Sequence, residues 1–278
     1  MKPIKFVTDS TADIPPELLK RYDIRVAPIA IQFGKETFDE GHGLTRDEFF
    51  RRIDAGVFPQ TSQPPAGAFA SIFREFAPQA SSIICINITS AHSGTVGSAT
   101  LARGMVPEAD IEVVDSQAIS LGTGFQVIAA ARAAEQGKTK EEILRMVAGL
   151  KGRMHHYLSL DTLKYLQMRG RVSTFQSTFA SLLNVKAILT VKDGALSPFE
   201  RVRTRSKSIE RLIEIVEEAL GTTAPVRIAL MHTRAAEEAQ KVADVLKARL
   251  NVREMFFAEL ALSLTVHSGP GLVGVIGY

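Results

Sequence analysis

One cysteine occurs in the 278 residues, Cys85, and it lies inside an apolar run. No intrachain disulfide can form, and the thiol reads as a core group. No apolar run approaches the ~18 residues of a membrane span, so no integral membrane segment is expected. Met1-Lys2-Pro3-Ile4-Lys5 leads straight into a strand pattern with no signal-peptide region, and the expectation is a cytoplasmic protein. Neither charge sign dominates: 33 Lys and Arg stand against 30 Asp and Glu, a net charge of +3. That balance makes no case for nucleic acid, although a pI near 9.0 leaves anionic partners open. Internal repeats and low-complexity tracts are absent. The six histidines form no metal cluster; His155 and His156 are adjacent and on a strand would face opposite ways.

Phosphate and nucleotide motifs fail on inspection. Gly137-Lys138-Thr139 looks like the end of a P-loop, but Arg132 stands where the first glycine belongs. Gly269-Pro270-Gly271-Leu272-Val273-Gly274 fits the dinucleotide pattern in letters only, because no helix follows it. Gly122-Thr123-Gly124 has Val127 in place of its third glycine. No cofactor is expected. A G-x-S-x-G nucleophile elbow is also missing.

What is present is a β-α rhythm. Strands are expected at 4–7, 24–31, 83–88 and 111–114. Helices are expected from Thr45 with Glu48 as a capping box, at 66–76, 94–105 and 122–135, and from Thr139 with Glu142 as a second box. Asp13 reads as the cap of a helix opening at Pro15-Pro16, and Gln60 to Pro65 as a rigid polar turn. This pattern predicts a largely parallel sheet with flanking helices over 1–153. Beyond Lys151-Gly152-Arg153 the order is less regular. Strands near 157–160, 187–191, 196–204, 226–231, 252–258 and 272–276 mix with helices near 161–168, 206–220 and 234–250. Asp193-Gly194 is a hairpin signal, so 154–278 is expected to form a mixed or antiparallel sheet with helices.

The stretch most suggestive of chemistry is Thr89-Ser90-Ala91-His92-Ser93-Gly94-Thr95, a hydroxyl-rich turn between a buried strand and a helix. First-turn N–H groups and the positive end of the helix dipole collect there, which suits an anionic group. A helix cap is the simpler reading of Ser93 taken alone. Arg201, Arg203, Arg205 and Lys207 fall at every second position and would share one side of an extended strand. Such a stripe serves either a protected sheet edge or a phosphate-bearing or acidic partner.

A set of short motifs runs through the chain in order: Thr8-Asp9-Ser10-Thr11-Ala12-Asp13-Ile14-Pro15, Thr61-Ser62-Gln63-Pro64, Ser93-Gly94-Thr95, Asp115-Ser116, Tyr165-Leu166 with Gly170-Arg171-Val172, Val202-Arg203-Thr204, and His267-Ser268-Gly269-Pro270-Gly271. Together they resemble the DegV family of bacterial fatty-acid-binding proteins, with a departure at Met168-Arg169, where the family usually has a basic residue followed by Gly or Ser. The resemblance implies two α/β domains, which the change of rhythm divides near residue 153, with one fatty acid in an apolar tunnel between them and no catalytic residue. Some members carry the acyl chain for an ATP-dependent fatty acid kinase subunit, which makes acyl phosphate for phospholipid synthesis. By position, Thr61 and Ser93 match hydroxyls that hold the carboxylate, in the segments that also contain Ser62 and Gly94, and His267 completes the polar cluster. Arg171 and Arg203 match arginines of partner docking or of the phosphorylated head group. Phe175, Phe179, Leu182, Leu262 and Leu264 are candidates for the tail lining, with ordinary core the simpler reading of each. Two other readings stay open: a serine-dependent lipid or ester hydrolase using Ser93 and His267, and a nucleic-acid surface on the 201–207 stripe.

Overall fold

The computed structural model describes residues 2–171 and 186–278, so Val172, Phe175, Phe179 and Leu182 lie outside the described residues. The chain separates into two compact units, Met1–Gly152 with Ala261–Val266, and Arg153–Leu260 with His267–Tyr278.

The first unit begins with β1 (Ile4–Asp9), a 3-10 turn (Ser10–Ala12), α1 (Pro16–Arg21), β2 (Arg25–Ala27), β3 (Ala30–Phe33) and β4 (Glu36–Asp39). It continues through α2 (Arg46–Asp54), β5 (Gln60–Ser62), α3 (Ala66–Phe76), β6 (Ser82–Asn87), α4 (Thr95–Gly104), β7 (Ile111–Asp115), α5 (Leu121–Glu135) and α6 (Lys140–Lys151). Its main sheet is parallel throughout, in the order β2-β1-β6-β7. Every residue of β6 is buried, as a central strand covered on both faces requires. On one side α3 offers Phe69, Phe73 and Phe76, spaced i, i+4 and i+7, to Val7, Ile83 and Cys85 of the sheet and to Ala99 and Ala102 of α4. α5 packs against β1 and β6 and is buried along most of its length.

Three expectations fail here. The single strand expected at 24–31 is broken at Pro28, which has no N–H to give a ladder; β2 joins the parallel sheet and β3 leaves it. β3 is the centre of a separate antiparallel sheet, β4-β3-β5, and so the segment expected to be a plain turn at Gln60 contains a strand. Asp13 does not cap α1 either. Pro15 is the N-cap residue, and Asp13 sits at φ 50° with its carboxyl directed elsewhere.

The second unit holds β8 (His155–Leu160), α7 (Lys164–Met168), β9 (Lys186–Lys192), β10 (Ala195–Val202), α8 (Arg205–Leu220), β11 (Val226–His232), α9 (Ala236–Arg249), β12 (Val252–Glu259) and β13 (Val273–Gly277). Between β12 and β13 the helix α10 (Leu262–Ser268) starts in the first unit and ends in the second. The sheet order is β10-β9-β8-β13-β11-β12, with β11 and β12 parallel and the other pairs antiparallel. Asp193 and Gly194 both take positive φ in the β9–β10 hairpin, as that sequence leads one to expect. Leu212, Ile215 and Val216 of α8 and Val242 and Leu246 of α9 cover Ile228, Leu230, Val273 and Val275. Gly274 is in mid-sheet: a Cβ there would meet Leu158 at 2.7 Å and Met231 at 2.9 Å, so this glycine serves packing, not a nucleotide.

Candidate functional site

In a parallel sheet the connections diverge where strand order reverses, and ligands bind outside the carboxyl ends of the strands at that point. The main sheet reverses at β1, whose neighbours β2 and β6 lie on opposite sides. The segments leaving β1, β6 and β7 there are Asp9-Ser10-Thr11, Ile88 to Thr95, and Asp115-Ser116.

Asp9 is fully buried and shapes this end of the sheet. Its carboxylate accepts from Thr11 N at 3.0 Å, from the Thr11 hydroxyl, and from Ile88 N at 2.9 Å. Burial pushes its carboxyl above the ordinary range, against the pull of those donors. On the other flank Asp115 accepts from Ser90 N at 3.2 Å, Ser90 Oγ at 2.5 Å and Gln117 N at 2.9 Å. Thr89 N donates to Ala118 O at 3.0 Å. The loop after β6 is thereby pinned on both sides, and it ends at Ser93-Gly94-Thr95.

There the Ser93 and Thr95 hydroxyls share a hydrogen bond of 2.8 Å, and Thr95 N donates to Ser93 Oγ at 3.3 Å. Ser93 therefore bonds the first amide of the helix from one position ahead of the N-cap and is not itself the cap residue. Gly94 takes the N-cap position and has no side chain to give the first turn, so the N–H groups of Val96 and Gly97 meet no side-chain acceptor from the cap. No acidic residue stands in that turn. The chemistry on offer is hydroxyl and backbone donors at the positive end of a helix, which suits a carboxylate or another small anion.

The Thr61 segment comes to the same place. Gln63 places its amide over Gly94, with Nε2 2.9 Å from where a Cβ would stand, so any side chain at 94 would have to displace it. Two residues earlier, Thr61 is half-buried on β5 opposite Ile31 of β3, and Ser62 is exposed opposite Ala30. The small sheet that sequence reasoning missed thus ends next to Gln63, which reaches the turn, and holds Thr61 opposite Ile31.

The other expected site residues belong to the second unit. His267 is half-buried in the last turn of α10. The turn after it is fixed by two glycines of positive φ. Gly269, at φ 68°, is pressed against the Tyr165 ring, and at Gly271, φ 83°, an added Cβ would meet Asp161 Cβ at 2.7 Å. Arg171 follows Gly170 and donates from Nη1 to Arg169 O at 3.2 Å. Arg203 is exposed between β10 and α8. The basic stripe does not form: Thr204 caps α8 by accepting from Lys207 N, which puts Arg205 and Lys207 on a helix. Arg205 pairs with Glu238 at 2.6 Å and Lys207 with Glu210 at 3.1 Å. Of the lining candidates, Leu262 is buried and Leu264 half-buried.

A polar cluster that sequence reasoning did not assemble lies in the first unit. Asp13 accepts from the Ser120 hydroxyl and from Ala261 N at 2.9 Å. Glu40 accepts from Ser263 N at 2.9 Å, Ser263 Oγ at 2.5 Å and Ser10 Oγ at 2.9 Å. Burial raises both carboxyls, that of Asp13 to about 8, with the neighbouring Glu40 adding to the rise. The one visible signal was the Thr8 to Pro15 motif, which contains Ser10 and Asp13; nothing there points to residues 40 or 263. Among the described residues no group of three or more His, Cys, Asp or Glu could hold a metal ion, and no helix is long and apolar enough to cross a membrane.

A parallel sheet with a donor-rich turn at its reversal point and a second, mixed sheet with helices define a two-unit α/β protein. A family model described as "Uncharacterised protein, DegV family" matches residues 3–278, and the chain belongs to the DegV family. Three solved structures are similar along their whole length. One, from Thermus thermophilus, is described by the fatty acid binding of a DegV family protein; it is 31% identical, with a TM-score of 0.94 and coverage of 99% of each chain. DegV of Bacillus subtilis, described as a fatty acid binding protein, is 32% identical at a TM-score of 0.92, covering 100% of this chain and 99% of its own. A stearic acid-binding protein of Eubacterium ventriosum is 26% identical at a TM-score of 0.92, covering 99% and 97%.

Proposed function

We propose that this chain binds a single long-chain fatty acid in a tunnel between its two units and presents the carboxyl group to a partner, an ATP-dependent fatty acid kinase subunit. The observation that carries the reading is the Ser93-Gly94-Thr95 turn with Gln63 over it, in a fold whose relatives are described as fatty-acid-binding. A buried carboxylate needs several donors. Thr61, Ser93, the first-turn amides of α4 and His267 are the donors assigned to it, with Ser62 and Gly94 in the same segments. The tail supplies most of the affinity, about 0.8 kcal/mol for each buried methylene before the cost of association. Arg171 and Arg203 are assigned to partner docking. The protein itself performs no catalytic step and works in the cytoplasm.

Native mass spectrometry of protein purified from cells tests the first step. One bound fatty acid per chain is expected, and a chain that is empty and also refuses added fatty acid overturns the reading. For the second step, the protein loaded with a C18 fatty acid, ATP and a DegV-partner kinase should yield acyl phosphate. Arg203→Glu should slow that yield without loosening the lipid; equal yields would remove Arg203 from the docking surface.

A further inference from the structure

α10 has seven residues, too few to hold a direction by its own hydrogen bonds, so its attachments set where it points. At its start the chain enters the first unit at Ala261. Two backbone donors of that entry, Ala261 N and Ser263 N, meet the carboxyls of Asp13 and Glu40, each at 2.9 Å. Glu40 also takes the Ser263 hydroxyl at 2.5 Å and that of Ser10 at 2.9 Å. Ser10 in turn accepts from Ile29 N at 2.9 Å, which ties the cluster to the chain between β2 and β3. Carboxyls held away from water are costly unless bonded, so this attachment is a specific one. Ser263 and His267 are four residues apart on one helix and so share a face, one turn from each other.

We propose that Glu40, with Asp13, is a positioning residue for the head-group site: it fixes the first turn of α10 on the first unit and so fixes how His267 is presented. The inference rests on the assignment of His267 to the fatty-acid carboxylate. It gives the Ser10 and Asp13 of the first motif a role that the lipid contacts alone leave without one.

The readout is preference for a head group, which simple loss of stability does not change. Dissociation constants are measured for a C16 fatty acid and for the C16 primary alcohol, and their ratio is compared among variants. Glu40→Ala should lower the acid-over-alcohol ratio about tenfold, the usual weight of a misplaced charge-assisted hydrogen bond. Glu40→Gln should keep the ratio, since its amide oxygen still accepts from Ser263 N and its NH2 can donate to the serine hydroxyls. A folded Glu40→Ala protein with the wild-type ratio overturns the proposal, as does a Glu40→Gln protein that loses as much as Glu40→Ala. If Glu40→Ala does not fold, the double variant Ser10→Ala/Ser263→Ala takes its place, and an unchanged ratio there overturns the proposal. His267→Ala separates the two ideas. No preference in the wild type, or none lost in His267→Ala, defeats the head-group reading; a preference lost in His267→Ala and kept in Glu40→Ala defeats this inference alone.

Discussion

Asp13 and His156 are buried groups whose ionisation opposes folding, and their effects on stability run in opposite directions as pH changes. Burial raises the Asp13 carboxyl from 3.8 to about 8; Glu40 adds to the rise, while Ser120, Ala261 and Arg46 oppose it. Across that window the unfolded chain has released the proton and the folded chain keeps it, so stability falls as pH rises. Asp9 and Glu40 are raised too and pull in the same direction. Burial lowers His156 from 6.5 to about 4, so stability is lost as pH falls through that interval, where the unfolded imidazole alone takes up a proton. Thermal midpoints measured from pH 6.5 to 8 should decline in the wild type and decline less in Asp13→Asn. Parallel curves for the two proteins would show that Asp13 is already ionised when folded. Gly124 makes a different demand. A Cβ there would run into the carbonyl oxygen of Ala12, so Gly124→Ala should cost about 1–3 kcal/mol in urea unfolding by forcing α5 off the 3-10 turn.

Among the elements, those with strong local signals were readable. The Thr139–Glu142 capping box forms in both directions, and Thr139→Ala should lower stability by about 1 kcal/mol, measured as a shift in the urea midpoint. The phenylalanine face of α3 follows from its spacing, and Phe73→Ala should cost about 3–5 kcal/mol because Phe73 is fully buried. The small sheet β4-β3-β5 was not readable. Its strands are three or four residues long, shorter than any reliable period, and its existence depends on β3 finding partners on either side. The basic stripe was misread for the opposite reason. Alternation at Arg201 to Lys207 was real in letters, but Thr204 with a bond from Lys207 N starts a helix, and helical period then scatters the charges. Of the candidate site, the Ser93 turn was legible because strand, turn and helix are contiguous there. Its approach by Gln63 was not, since that depends on the unread sheet.

At the scale of the whole molecule, the short excursion of 261–266 matters most. A fragment ending at Gly152 lacks the N–H donors that Asp13 and Glu40 take from Ala261 and Ser263, leaving two buried carboxyls short of partners. Fragment 1–152 should therefore melt well below the full-length chain, and a fragment of undiminished midpoint would show that the cluster adds little to the first unit. The sequence by itself determined the alternation of strands and helices, the hairpin at Asp193-Gly194, the buried Cys85 and the hydroxyl-rich strand-to-helix turn at Ser93. Each of these depends on neighbours within a few positions, where backbone preference and hydrophobic period act directly. Only the tertiary structure decided that Gln63 rests on Gly94, that Pro28 sends β2 and β3 to different sheets, and that Glu40 holds a helix more than two hundred residues away. Those pairings form between residues whose separation along the chain carries no pattern, and they are fixed by which buried donor is left for which buried acceptor once the core has packed.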